Sequence, residues 1–390
     1  MSLSPFIRPA IERLVSSQIR EVANAGMGDP DVLPFWFGEP DQVTPQFIRD
    51  AACTALQGGA TFYTQNCGVP ALRQAIATYA GALHRPLAAE RVVVTSSGNS
   101  ALMIAAQLVV EPTCRVVVVT PVWPNLTEIP KILGAHVVRA PLDYANGRWT
   151  LNLDKLLALL TPNTRAVFIN SPNNPTGWTM SRHDQQAVLE HCRRLGIWII
   201  ADDVYERLYF GAEGRSAPAF ADIADEHDRL LTTNSFSKSW LMTGWRLGWI
   251  SAPPGVVERL GTIVEYNTSC APGFVQLAGI AALEQGESVV QASVTRLRNA
   301  RDYLCDALNQ LPGISASPPD GAMYVFFECE QARREGSLPF AQRLVREAGL
   351  GLAPGGAFGP EGDGFLRWCT ANSIERLEQG VARLQGLLKA

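Results

Sequence analysis

From residue 91 onward, short β-branched runs alternate with segments of helical length: "RVVVTS" then "NSALMIAAQLVV", "RVVVVT" then "LTEIPKILG", "RAVFIN" then "RHDQQAVLEHCRRLG", and finally "IWIIADD". Strands that are apolar along their whole length have to be covered on both faces. The intervening helices supply that cover, so the pattern predicts an α/β fold around a mainly parallel sheet flanked by helices. In such sheets ligands gather outside the carboxyl ends of the strands. Two more runs, "RLLTTNSF" and "WRLGWISA", come next with no helix between them and predict one antiparallel strand. Helical stretches then fill residues 254 to 311.

The last ninety residues change character. "GAMYVFFEC" and "FLRWCTAN" read as strands, "LPFAQRLVREAG" and "IERLEQGVARLQGLLK" as helices, which is the pattern of a small α+β unit. The opening residues, ending in "FWFGEPD", have no core of their own and are expected to pack on that unit. The expected division is a large α/β domain over 46–290 and a small α+β domain built from 1–45 and 291–390.

Composition limits the partners. With 47% hydrophobic and 18% charged residues and a net charge of -4, the chain offers no general attraction to nucleic acid or an anionic membrane. It contains no uninterrupted apolar stretch of the roughly 18 residues that mark a spanning helix. Arg8, Glu12, Arg13, Arg20 and Glu21 interrupt the N-terminal segment, so no signal-peptide core is seen and a cytoplasmic location is expected. The eight cysteines are scattered, without a Cys-x-x-Cys pair or a histidine cluster at ligand spacing. They read as reduced, mostly buried thiols, with no metal site.

The residues just beyond each strand carry the chemistry. After "RVVVT" come Ser96, Ser97, Gly98 and Asn99 and then a helix; such a turn presents free amides and a favourable dipole to an anion. A plain helix cap would look the same. Trp123 in "PVWPN" comes after the next run, where a core position and a stacking platform are both open readings. In "SPNNPTG", turn chemistry alone explains Asn173, Asn174 and Pro175. Asp202 and Asp203 end a buried run, where a carboxylate must be paired or protonated.

One lysine completes the set. Of 33 basic residues only Lys131, Lys155, Lys238 and Lys389 are lysines, and Lys238 lies in "SFSKSWLMTGWRLGW" among serines, tryptophans and small residues. A desolvated amine loses its proton and attacks a carbonyl, which a guanidinium does not do. Together these positions ask for a ligand with a phosphate, a flat ring, a ring oxygen, a ring nitrogen seeking a carboxylate, and an aldehyde. Pyridoxal 5′-phosphate has all five.

Over almost its whole length the sequence resembles the class I/II, fold type I, pyridoxal-phosphate aminotransferases. The segment "SFSKSWLMTGWRLG" fits that family's lysine signature at every specified position. The resemblance implies a seven-stranded-type sheet and gives roles to single residues. Lys238 is similar to the Schiff-base lysine; Ser235 and Arg246 to the phosphate ligands, with Arg246 expected to begin the returning antiparallel strand; and Gly98 and Asn99, beside Ser97, to the amide cradle. Trp123 resembles the stacking aromatic, Asn174 and Tyr205 the pair on the ring oxygen, and Asp202 the pyridinium partner. Asp203 stands where the family commonly has Glu. Tyr63, in "FYTQNCGVPALRQAI", resembles the tyrosine that reaches the phosphate of the other subunit, implying a homodimer with shared sites. Arg367, in "GFLRWCTAN", resembles the arginine on the substrate α-carboxylate, and Gly38 in "FGEP" the glycine near it. Trp36 reads either as buried strand core or as a sign of an aromatic substrate. No second arginine or lysine is assigned to a side-chain carboxylate. The implied activity is transfer of an amino group from an L-amino acid to a 2-oxo acid by a ping-pong mechanism, with a β-lyase on the same fold as the rival, since fold does not decide reaction.

Overall fold

A computed structural model describes residues 7–211 and 215–389. Its centre is a seven-stranded sheet of β1 (Val92–Thr95), β2 (Arg115–Thr120), β3 (His136–Pro141), β4 (Thr164–Asn170), β5 (Trp198–Asp202), β6 (Leu230–Ser235) and β7 (Gly248–Ser251), in the order β1-β7-β6-β5-β4-β2-β3. Only β7 runs antiparallel, to β6 on one side and β1 on the other. The carboxyl ends of β1, β2, β4, β5 and β6 therefore open on one edge.

Alternation along each strand divides the sheet's side chains between two faces. Val116 and Val118 pack with Ala101, Ala105 and Leu126 from the helices Gly98–Val109 and Asn125–Ile132. Val117 and Val119 face the other way, onto Leu156, Val188 and Leu189 from Leu153–Leu159 and Arg182–Leu195. Burial on both faces is why these strands read as unbroken Val and Ile runs. Six of the seven strands coincide with apolar runs. The seventh, β3, sits at the sheet edge with only Ala140 buried, so little apolar pattern marks it. The hairpin of Asp143–Ala145 and Arg148–Thr150 is also additional to the expected elements, although Asn146 and Gly147, both at positive φ, form the Asn-Gly turn that favours one.

Three helices, Val257–Thr268, Gly273–Gln285 and Glu287–Leu308, occupy the predicted helical stretch. Beyond them is a four-stranded antiparallel sheet, with β8 (Ile314–Ser315), β9 (Tyr324–Cys329), β10 (Ala353–Pro354) and β11 (Phe365–Cys369) in the order β8-β9-β11-β10. Its core contains Phe326, Leu366, Trp368, Phe340 and Leu377, and also Ile19, Val22, Phe35 and Trp36 from the N-terminal segment. The hairpin joins this core through Trp149, whose ring centroid lies 5.2 Å from that of Phe365. Among the described residues no helix is long and apolar enough to cross a membrane. All eight cysteines are free; four are buried, three half-buried and Cys53 exposed, so half of them are wetter than the mostly buried set expected.

Candidate active site

The strand ends enclose a cavity of about 710 Å³ roofed by the small sheet. Eleven of the thirteen residues singled out from the sequence line it: Gly38, Gly98, Asn99, Trp123, Asn174, Asp202, Tyr205, Ser235, Lys238, Arg246 and Arg367. Ser97 and Tyr63 do not.

Ser97 sits just behind the wall. At φ 138° it turns the chain from β1 into the helix, and its hydroxyl oxygen caps that helix by accepting from the Ser100 amide at 3.0 Å. The amides of Gly98 and Asn99 have no acceptor among the described residues, leaving two donors at a helix N-terminus aimed at the cavity. Glycine is required at 98 because a side chain would come within 2.9 Å of Ser235 Cβ. It is required at 248 too, where a Cβ would lie 2.6 Å from the Gly98 nitrogen. Ser235 donates to the Ser237 hydroxyl at 2.8 Å and accepts from the Ser237 amide at 3.1 Å, which folds the chain toward Lys238. Arg246 precedes the returning strand by two residues instead of beginning it; a left-handed backbone there (φ 54°) swings its guanidinium to the cavity rim, where it donates to the Thr243 carbonyl at 2.5 Å.

Lys238 Nζ donates to the carbonyl of Gly38, so the N-terminal segment is tied directly to the amine. Gly38 admits no side chain, because its Cβ would overlap the Tyr324 hydroxyl. Burial pulls the Lys238 pKa down to about 8; Cys369 and Glu39 oppose the fall, and the Arg367 and Arg246 cations add to it. The deep carboxylate of Asp202 moves the other way, up to about 7, because burial outweighs the Val204 amide and the charge of Lys238. Its backbone is held by Asn170, whose side-chain amide donates to the Asp202 carbonyl at 2.9 Å while its oxygen accepts from the Asn174 amide at 2.8 Å. The Trp123 amide donates to the Asn174 carbonyl at 2.8 Å, bringing the aromatic and the turn together.

Arg367 is 2% exposed. It donates to Asn174 Oδ1 at 2.9 Å and to the Trp36 carbonyl, and it lies over the Tyr324 ring, 4.3 Å from its centroid. Its Nε has no partner, and no carboxylate pairs with it among the described residues. Trp36 is core, contributing its carbonyl and not its ring.

Several lining residues lie beyond the reach of the sequence patterns. Tyr324 shares a 2.7 Å hydrogen bond with Tyr205 between their hydroxyls, and only a tyrosine opening a mostly apolar strand hints at it. Asn170 ends β4 as a polar residue in a buried run, a signal overshadowed by the turn beyond it. Arg20 reaches the mouth of the cavity, 4.6 Å from the Phe37 ring centroid, so a second arginine is present after all; it is distant in sequence from every strand end. Tyr63 is 88% exposed and away from the cavity of its own chain.

The donor set fits a phosphorylated aldehyde with a basic ring nitrogen: two free helix amides, a buried carboxylate left without a salt-bridge partner, and an amine with a lowered pKa converge on one space. Residues 30–384 match the family profile of aminotransferases class I and II. The chain is 30% identical to aromatic-amino-acid aminotransferase 2 of Thermococcus litoralis, covering 97% of both chains. It is 33% identical to the arginine–pyruvate transaminase of Pseudomonas aeruginosa over 94% of this chain and 92% of the other. The crystal structure of the aspartate aminotransferase from Thermotoga maritima superposes with a TM-score of 0.89 at 30% identity, covering 98% of this chain and 100% of that one. This chain belongs to the class I and II aminotransferases, enzymes that use pyridoxal 5′-phosphate to move amino groups between amino acids and 2-oxo acids.

Proposed function

We propose that one arginine, Arg367, holds both the L-amino acid donor and the 2-oxo acid acceptor in a ping-pong exchange. The observation that carries this reading is its state: a buried guanidinium with an orphan Nε and no anion beside it. A buried, unpaired charge costs several kcal/mol, and both substrates bring the carboxylate that removes the cost. Its planar fork suits a carboxylate, and the contact with Asn174 fixes its rotation.

Pyridoxal phosphate, when bound, supplies the electron sink that makes a substrate Cα–H acidic. Lys238 would hold the cofactor through its amine, and that amine, when free, would serve as the base that moves the substrate Cα proton. Asp202 would pair with the cofactor's ring nitrogen, whose positive charge would favour the ionised carboxylate against burial. Tyr205 and Asn174 would bond the ring oxygen, Trp123 would stack on the ring, and Gly98, Asn99, Ser235 and Arg246 would take the phosphate, with Ser97 as the cap that aims the helix.

The same proposal includes a homodimer in which Tyr63 of the partner subunit completes the phosphate site. It is supported by adjacent exposed aromatics, Phe62 and Tyr63, and by a third exposed aromatic, Tyr266. Thr64 and Asn66 tie this segment to Cys270 and Glu265. A cytoplasmic location is supported by eight unpaired thiols. The division into 46–290 against 1–45 with 291–390 is proposed as the functional one, hinged on Glu287–Leu308, which spans the boundary; residues 1–6 lie outside the described residues.

The test is single-turnover chemistry. An amino acid alone should yield one 2-oxo acid per site and an aminated cofactor, and a 2-oxo acid should reverse the change. Arg367→Ala should slow both directions by roughly 2–5 kcal/mol of binding energy, and Arg367→Lys should recover little. Continuous ammonia release without cofactor amination would mean β-elimination and reject this reading.

A further inference from the structure

A second cavity, of about 510 Å³, lies on the face of β6 and β7 opposite the helix Gly98–Val109. Strand alternation puts Thr232, Asn234, Trp249 and Ser251 on its floor, with Asn234 across from Trp249 and Thr232 across from Ser251. Polar side chains on a sheet face need partners. Asn234 is satisfied, donating to Glu206 Oε1 at 2.7 Å and accepting from the Ser235 amide at 2.7 Å.

The wall is charged. His84 is clamped between Glu206 at 3.0 Å and Asp222 at 2.7 Å. Burial works against its charge, but the two carboxylates prevail and raise its pKa to about 10, so it is an imidazolium committed to them. Asp203 is left over. It is 6% exposed, lines the cavity, and has no hydrogen bond to its carboxylate among the described residues. Burial, then the nearby Glu206, pushes its pKa well above the usual range. Of the two arginines that also line it, Arg85 pairs with Asp225 at 3.3 Å and Arg91 donates to the Ala252 carbonyl at 2.9 Å, and neither bonds Asp203. No group of acids, histidines or cysteines among the described residues is arranged to hold a metal ion.

We propose that this cavity binds a small organic ammonium, its head between Asp203 and Glu206 and its apolar stem along Leu87, Leu230 and the Trp249 ring. An ammonium supplies the hydrogen-bond donors that the Asp203 carboxylate lacks, and it adds to the charge of His84 on the far side of Glu206. Binding there is placed to influence the reaction, because three of the polar wall residues are chain neighbours of active-site residues: Asp203 of Asp202, Glu206 of Tyr205, and Asn234 of Ser235.

The test uses holoenzyme whose lysine–cofactor bond has been reduced with borohydride, so that amines cannot react at the first site. Calorimetric titration with n-butylammonium should show saturable uptake of about one molecule per chain, and neutral n-butanol should show none. Asp203→Asn should weaken uptake roughly tenfold or more. Ala224→Phe, which fills the cavity from its wall, should abolish uptake while the cofactor absorbance reports an intact fold. Absence of saturable uptake by the unsubstituted protein, or equal affinity in Asp203→Asn, would overturn the proposal.

Discussion

Lys238 and Asp202 are pushed in opposite directions by the same burial, an amine toward neutrality and a carboxylate toward protonation. Without a cofactor both are liabilities to folding. For Asp202 the sign is definite: its folded pKa, about 7, lies above the unfolded value of 3.8, so the folded state keeps a proton that the unfolded chain has lost. Its contribution is therefore most favourable below pH 3.8 and is lost as pH rises toward 7. In thermal unfolding of cofactor-free protein, Asp202→Asn should raise Tm above wild type at pH 8, with the gain shrinking toward pH 4, and it should hold cofactor poorly. A pH-independent difference would show that ionisation of Asp202 is not what destabilises the site. The scarcity of lysine makes position 238 legible in the sequence, and the acid pair at 202 and 203 is legible because acids rarely end buried strands. Tyr324 and Arg20 are not, because their proximity to the site arises from the docking of the small sheet and the N-terminal segment, which no local pattern encodes.

At the scale of elements, the site depends on how closely the β1 turn approaches β6 and β7. Gly98 and Gly248 make that approach possible. Gly98→Ala puts a methyl 2.9 Å from Ser235 Cβ, so the turn must retreat. The expected cost is about 1–3 kcal/mol of stability with a larger relative loss of cofactor affinity, measured by denaturant unfolding with and without pyridoxal phosphate. Equal loss in both states would mean that the turn is structural only. The inner strands are readable because burial on two faces demands continuous Val and Ile. The edge strand β3 and the hairpin escape notice because one is poorly buried and the other gains its packing from a distant core.

For the whole molecule, Phe62 and Tyr63 are aromatic side chains left 83% and 88% exposed, a condition that a second copy would relieve. Sedimentation should find a dimer at working concentration. Tyr63→Phe should leave the dimer intact and weaken cofactor retention, since only the hydroxyl is removed. A fully active monomer would contradict the shared site.

Every role given to the cavity rests on residue 238 being a lysine because the chemistry needs an amine there. Borohydride reduction of the holoenzyme and peptide mapping of the product put this to the test. The cofactor should be found on Lys238, and Lys238→Arg, which keeps the charge and loses the nucleophile, should be as inactive as Lys238→Ala. A cofactor label on Lys131, Lys155 or Lys389, or an active Lys238→Arg protein, would contradict that role.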